Sequence, residues 1–200
     1  MFNRIMIAIK LWLLLPFAIG NIIKNNLIKT VVPVIGIAIM FFIVAYKKPL
    51  HIVDVTPAFN NNNLKKHKTE YVVIHHTAGN PDGCINDIIK VHYGQHGWSS
   101  IGYHFFIDTD GTIYQLRNTD ENVPHSYHYN DNSVAICLNG NFSKYKPTDE
   151  QWDSAVKLVR QMLEKYGLTK ESVFKHGQLH GNNTECCGKL FDVEKFKKEL

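Results

Sequence analysis

The chain has 200 residues, 44% of them hydrophobic, and 22 Lys and Arg against 18 Asp and Glu give a net charge of +4 with neutral histidine. That charge is unevenly divided: residues 1–68 hold nine basic residues against one acid, a net of +8, whereas the remainder holds 13 against 17, a net of −4. An acidic folded part without a basic stripe excludes nucleic acid as a partner, and four cysteines in such a chain do not amount to a disulfide framework.

In chain order, the first feature is Ile5 to Ile23, strongly apolar but interrupted by Lys10. It reads as an interfacial helix, a signal-like segment or the first half of a hairpin. The second is TVVPVIGIAIMFFIVAY, residues 30–46, seventeen residues without a charge between Lys29 and the pair Lys47 and Lys48. That length is at the short end of a membrane span. Residues 1–48 are therefore expected to form a membrane anchor region with candidate spans at 5–23 and 30–46. Arg4, Lys10, Lys24 and Lys29 precede the better span, so the positive-inside rule places the C-terminal part outside the cytoplasmic membrane, in the cell envelope. The basic flank also suits anionic membrane lipid.

Residues 49–68 contain Pro49, Pro57, four consecutive asparagines and a basic cluster, and read as a linker. The stretch 69–200 suffices for one domain with a single core. Strands are expected at 71–76, 104–108, 112–116, 133–138 and 173–176, with Asp110 and Gly111 turning a hairpin. The clearest helix begins at Thr148, where TDEQ forms a capping box, and runs through Trp152, Ala155, Val156, Val159, Met162 and Leu163 to Gly167. Interleaved strands and helices give an α/β domain with a central mixed β-sheet flanked by helices.

Three residues carry the chemistry. His75 ends the apolar run YVVI, His176 ends a second run at Val173 and Phe174, and Cys186 follows ten residues later in a Gly/Asn-rich loop. Two imidazoles and a thiol can make a three-ligand zinc site with its fourth position left for water or substrate. Spacing alone leaves His180 and Cys187 as rival ligands. Other residues read more simply: His76 points to the opposite face from His75, His92 and His96 cap or pack after the helical stretch CINDIIKVHYGQHG, and Cys137 is a small buried hydrophobe. In an exported domain, Cys84 and Cys187 are candidates for pairing.

Between these residues run GWSSIGYHFFIDTDGTIYQLR and PHSYHYNDNSVAICLNGNF. With HHTA and the cysteine loop, they make the chain from about Glu70 to Leu200 resemble the zinc-dependent N-acetylmuramoyl-L-alanine amidases of type 2, which include phage-lysozyme amidases and peptidoglycan recognition proteins. The resemblance implies that His75, His176 and Cys186 hold Zn2+. It assigns Tyr103, in IGYHF, and Thr184, two before the cysteine, to catalysis, and His125 and Asn130 to the substrate cleft. Cys187 stands where the family's CPG segment has proline, and the interval from His176 to Cys186 is two residues longer than in the shortest members. The implied activity is hydrolysis of the amide between N-acetylmuramic acid and L-alanine in peptidoglycan or muropeptides. The alternative on the same fold is a non-catalytic peptidoglycan-binding receptor.

Amide hydrolysis near neutral pH needs a polarised carbonyl and an activated nucleophile, and zinc supplies both by Lewis acidity and by lowering a bound water's pKa to about 7. The strand end SVAICLNG offers Cys137 and Asn139 rather than a carboxylate base. Proton handling is therefore expected around Tyr103 and Thr184.

Overall fold

The computed structural model describes residues 50–59 and 64–200. The hydrophobic stretches 5–23 and 30–46 lie outside the described residues, and among those described no helix is long and apolar enough to cross a membrane. Leu50–Leu200 is one compact unit. Six strands form its sheet: β1 (Ile52–Asp54), β2 (Tyr71–His76), β3 (Phe105–Ile107), β4 (Ile113–Gln115), β5 (Ser133–Leu138) and β6 (Val173–Lys175). Their order is β1-β4-β3-β5-β2-β6, with β3 and β4 antiparallel and every other pair parallel. The mixed α/β domain with a central mixed sheet matches the expectation from sequence.

The expected linker is corrected. Within 49–68, β1 pairs with β4 through Ile52↔Ile113 and Asp54↔Gln115, and Lys66 bridges to Glu121. The folded unit therefore starts at Leu50 rather than 69. A three-residue edge strand with one partner is too short for its alternation to stand out beside Pro49 and Pro57.

Strands β2 and β5 are interior to the sheet and buried on both faces, with Val72, Ile74, Val134, Ile136 and Leu138 on one and Val73, Ala135 and Cys137 on the other. On one face Val72, Ile74, Val134, Ile136 and Leu138 pack against α2 (Asp149–Tyr166) and α3 (Val193–Lys198) in the larger apolar cluster. Thr148 caps α2 by accepting from the Gln151 amide at 3.0 Å, and Gly167, with φ of 64°, closes it in the left-handed conformation. The capping residue Gln151 also ties the helix to the sheet, its Nε2 donating to Asn139 O at 2.8 Å. The opposite face holds a smaller apolar cluster of Ile88, Ile101, Phe106 and Leu116 beneath α1 (Ile85–Ile89), which continues as a π-helical turn, Lys90–Gln95. The predicted hairpin turn lies between β3 and β4, with Gly111 at φ of 80°.

Candidate metal centre and active site

Parallel pairing creates the centre. Strands β2 and β6 run side by side with Ile74 opposite Lys175, so the next residues, His75 and His176, leave neighbouring strand ends together. Their ring centroids are 4.6 Å apart. The loop after His176 then folds back, and Gly177 N donates to Cys186 O at 2.6 Å. A side chain at Gly177 would not allow this: its Cβ would lie 2.3 Å from Thr184 O. The closure brings Cys186 Sγ to 3.8 Å from His75 Nδ1, and the His76 amide donates to that sulfur at 3.4 Å. One ligand atom from each of His75, His176 and Cys186 lies within 4.8 Å of the others. Two imidazoles and a sulfur, converging from three chain segments, fit the donor set of a zinc site.

Electrostatics suit ligation. Burial drives the pKa of His75 well below the ordinary value, with His125 and His176 adding to the effect, and burial also lowers His176. Both imidazoles are therefore neutral near pH 7, the form that binds metal. Burial pushes the Cys186 thiol up to about 11, so its proton must be displaced by a cation when the thiolate becomes a ligand.

The three residues open into a cavity of about 590 Å³ whose lining includes Tyr103, His125 and Thr184. The Tyr103 ring lies 5.2 Å from that of His75, and burial holds its phenol well above the ordinary range. Thr184 lines the cavity, and its Oγ1 accepts from the Cys186 amide at 3.2 Å. His125 Nδ1 is 3.1 Å from His75 Nε2, and burial lowers the pKa of this imidazole well below the ordinary value. Elsewhere in the lining Trp98 packs against both His92 and His96, at ring distances of 4.7 and 4.9 Å. His92 Nδ1 also accepts from Gly102 N at 3.1 Å, in keeping with its expected packing role.

Other candidates separate from the centre. Asn130 is not among the residues lining the cavity: its Oδ1 accepts from the amides of His125 and Ser126 at 2.8 and 2.7 Å, so its polar group holds the turn that carries His125. Cys187 is fully buried in the apolar cluster under α2, and His180 is exposed, so neither joins the ligand group. His76 points to the other face, as alternation requires, where its Nδ1 accepts from Phe142 N at 3.0 Å. All four cysteines are free, so the suggested pairing of Cys84 with Cys187 does not occur. Sequence reasoning missed Ser133 and Asn182, which contact His125 and His176 at 3.1 and 3.0 Å. Nothing in residue type or spacing distinguishes them from turn and strand polar residues.

The family model for N-acetylmuramoyl-L-alanine amidase matches residues 65–189. Peptidoglycan-recognition protein SC2 of Drosophila melanogaster is 31% identical over 125 residues, covering 59% of this chain and 67% of that protein. Peptidoglycan-recognition protein LB of the same fly is 32% identical over 130 residues, 54% of its length. Among solved structures, the N-acetylmuramoyl-L-alanine amidase LysC from Clostridium intestinale has 33% identity and a TM-score of 0.67, covering 75% of this chain and 97% of that one. Drosophila PGRP-LB is similar at 28% identity and a TM-score of 0.61. With its mixed sheet, its His-His-Cys cluster and a match over more than half its length, the chain belongs to the N-acetylmuramoyl-L-alanine amidase family.

Proposed function

We propose that the protein is a zinc-dependent amidase that hydrolyses the bond between the N-acetylmuramic acid lactyl group and L-alanine. The observation that carries this reading is the retained convergence of His75, His176 and Cys186 at the mouth of a cavity. These three residues would hold the metal, which when bound supplies the Lewis acidity that polarises an amide carbonyl and acidifies a water. The protein's own groups do the rest. Tyr103 stays protonated because of its burial, so its O–H serves as a hydrogen-bond donor to charge developing on the carbonyl oxygen, not as a base. Thr184, which also lines the cavity, offers a second hydroxyl donor. The imidazoles of His75, His125 and His176 are neutral near pH 7 and so free to act as ligands or hydrogen-bond partners, and Trp98 lines the space for the substrate.

Peptidoglycan or a soluble muropeptide is the proposed partner, in line with the recognition proteins among the relatives. A receptor that binds this ligand without cleaving it is the competing reading, and Cys186 favours the enzyme because binding alone does not need a third metal ligand. The deciding experiment incubates the purified full chain and zinc with a muramoyl peptide and follows release of a free L-alanine amino terminus by mass spectrometry. Cleavage that disappears in Cys186→Ala supports the amidase; binding without cleavage by the zinc-loaded protein overturns it in favour of the receptor.

For location, the apolar stretches 5–23 and 30–46 and their flanking lysines support an N-terminal anchor with the amidase domain outside the cytoplasmic membrane. Protease added to cells with a permeabilised outer envelope and a sealed inner membrane should digest a C-terminal tag. A protected tag would redirect the substrate to muropeptides inside the cell.

A further inference from the structure

Behind each histidine of the centre stands a hydrogen-bond chain whose direction is forced by backbone groups. Asn182 Oδ1 accepts from Tyr127 N at 2.9 Å, and Asn182 Nδ2 donates to Tyr127 O at 3.0 Å. An amide N–H can only donate and a carbonyl can only accept, so the side-chain oxygen of Asn182 is identified without ambiguity. That same oxygen lies 3.0 Å from His176 Nε2. The facing nitrogen must therefore carry the proton, and Nδ1 of His176 is left with its lone pair.

The second chain starts from another carbonyl. Ser133 Oγ donates to Tyr129 O at 2.6 Å, which gives its one proton a destination. Ser133 Oγ then accepts from His125 Nε2, 3.1 Å away, so neutral His125 carries its proton there and its Nδ1 accepts. His125 Nδ1 faces His75 Nε2 at 3.1 Å, which places the proton of His75 on Nε2. Its Nδ1 keeps a lone pair and is the atom 3.8 Å from Cys186 Sγ. Both chains end on one segment, through Tyr127 in the first case and Tyr129 in the second.

We infer that Asn182, and His125 with Ser133, are positioning residues that lock both histidines of the metal centre in the Nε2-protonated tautomer, so that each presents Nδ1 to the ion. Tautomer and ring orientation are set before the metal arrives, and the segment 127–129 acts as the common anchor of both. Asn182 has a second effect. By bonding both the N–H and the C=O of Tyr127, it ties the loop carrying His125 to the loop between His176 and Cys186. The longer interval between those two ligands is thus the stretch that supplies the residue holding the first of them.

The inference rests on the zinc reading for its consequence but not for its geometry, and two measurements keep them apart. In the metal-free full chain, nitrogen-15 NMR of the imidazoles should show His75 and His176 protonated at Nε2, with His176 alone becoming a tautomer mixture in Asn182→Ala. Zinc competition titration with a chromophoric chelator should show about 10- to 100-fold weaker binding in Asn182→Ala. Asn182→Asp, whose carboxylate still accepts from both Tyr127 N and His176 Nε2, should restore most of it. Ser133→Ala should weaken zinc binding while perturbing the tautomer of His75 and leaving that of His176 unchanged. Protonation of either wild-type histidine at Nδ1 would overturn the inference, and this readout stands even where a variant fails to fold. So would unchanged zinc affinity in a folded Asn182→Ala protein. Zinc binding that survives Cys186→Ala would instead defeat the zinc reading and leave the tautomers untouched.

Discussion

The two faces of the central sheet are built from the same strands and do different work. Toward α2 and α3 lie Val72, Ile74, Ile136, Leu138, Phe105 and Ile107, an apolar layer joined by Phe142, Phe191 and Phe196. Toward the cavity lie His75, His104 and Cys137, with Phe106 in the smaller cluster. The first face is held by close packing, whose stabilisation grows with apolar area removed from water. On the second, each buried polar group needs a partner, because an unpaired one is strongly unfavourable. His104 shows the rule: its Nε2 donates to Glu121 O at 2.8 Å and its Nδ1 accepts from Ala135 N at 2.9 Å. The lesson is that one face can be altered with loss of stability alone, whereas the other couples protonation and metal binding to the fold.

The sharpest way to break that contrast is Cys186→Ala. We expect complete loss of bound zinc and of amidase activity with little change in metal-free melting, measured by metal analysis and calorimetry of the full chain. Retained zinc there, together with its loss in Cys187→Ala, would show that the wrong cysteine has been assigned. On the packed face the prediction reverses. Phe196→Ala should destabilise by about 3–5 kcal/mol in denaturant unfolding while leaving the metal affinity of the surviving folded protein intact.

Acid should act through the cavity face. Burial lowers the pKa of His104 from 6.5 to about 4. Above pH 6.5 the imidazole is neutral folded or unfolded and its contribution is fully present. As pH falls from 6.5 toward 4, the unfolded chain takes up a proton that the folded one refuses, so stability drops, by about 3 kcal/mol for this residue once below pH 4. His92 on the same face, lowered to about 4 mainly by burial, shifts it in the same direction, and His76 on the packed face, likewise lowered to about 4, adds to it. Denaturant midpoints of the metal-free protein at pH 7 and pH 4.5 check this; equal midpoints would contradict it.

Finer substitutions separate catalysis from structure within the cavity. Tyr103→Phe should keep zinc and fold yet slow hydrolysis about 10²-fold. An unchanged rate would reduce that ring to its packing against His75 and His92. Thr184→Ala should lose less than Tyr103→Phe in the same assay, since water can replace its hydroxyl.

Much of this architecture was legible in the chain. The period-2 and continuous apolar runs gave β2 and β5 to the residue, because strands covered on both faces leave a strong signal. The TDEQ box and the glycine after Tyr166 marked both ends of α2, because capping is local chemistry. His75 and His176 were legible as residues delivered by strand ends. The edge strand β1 was not, since three residues beside prolines hold too little pattern, and the π-helical turn after α1 was not, since its backbone register depends on packing around His92 and Trp98.

What the sequence determined by itself, then, was the set of elements and the chemical types available at their ends, both properties of short stretches of chain. What only the tertiary structure decided was which groups meet. The parallel register of β2 and β6 put His75 beside His176; the close approach at Gly177 chose Cys186 over Cys187 and His180. Asn130 became a backbone clamp, and Asn182 and Ser133 became partners of His176 and His125. These assignments join residues up to 111 positions apart. A hydrogen bond or a shared ligand across that distance is fixed by the path of the whole chain, not by the composition around either end.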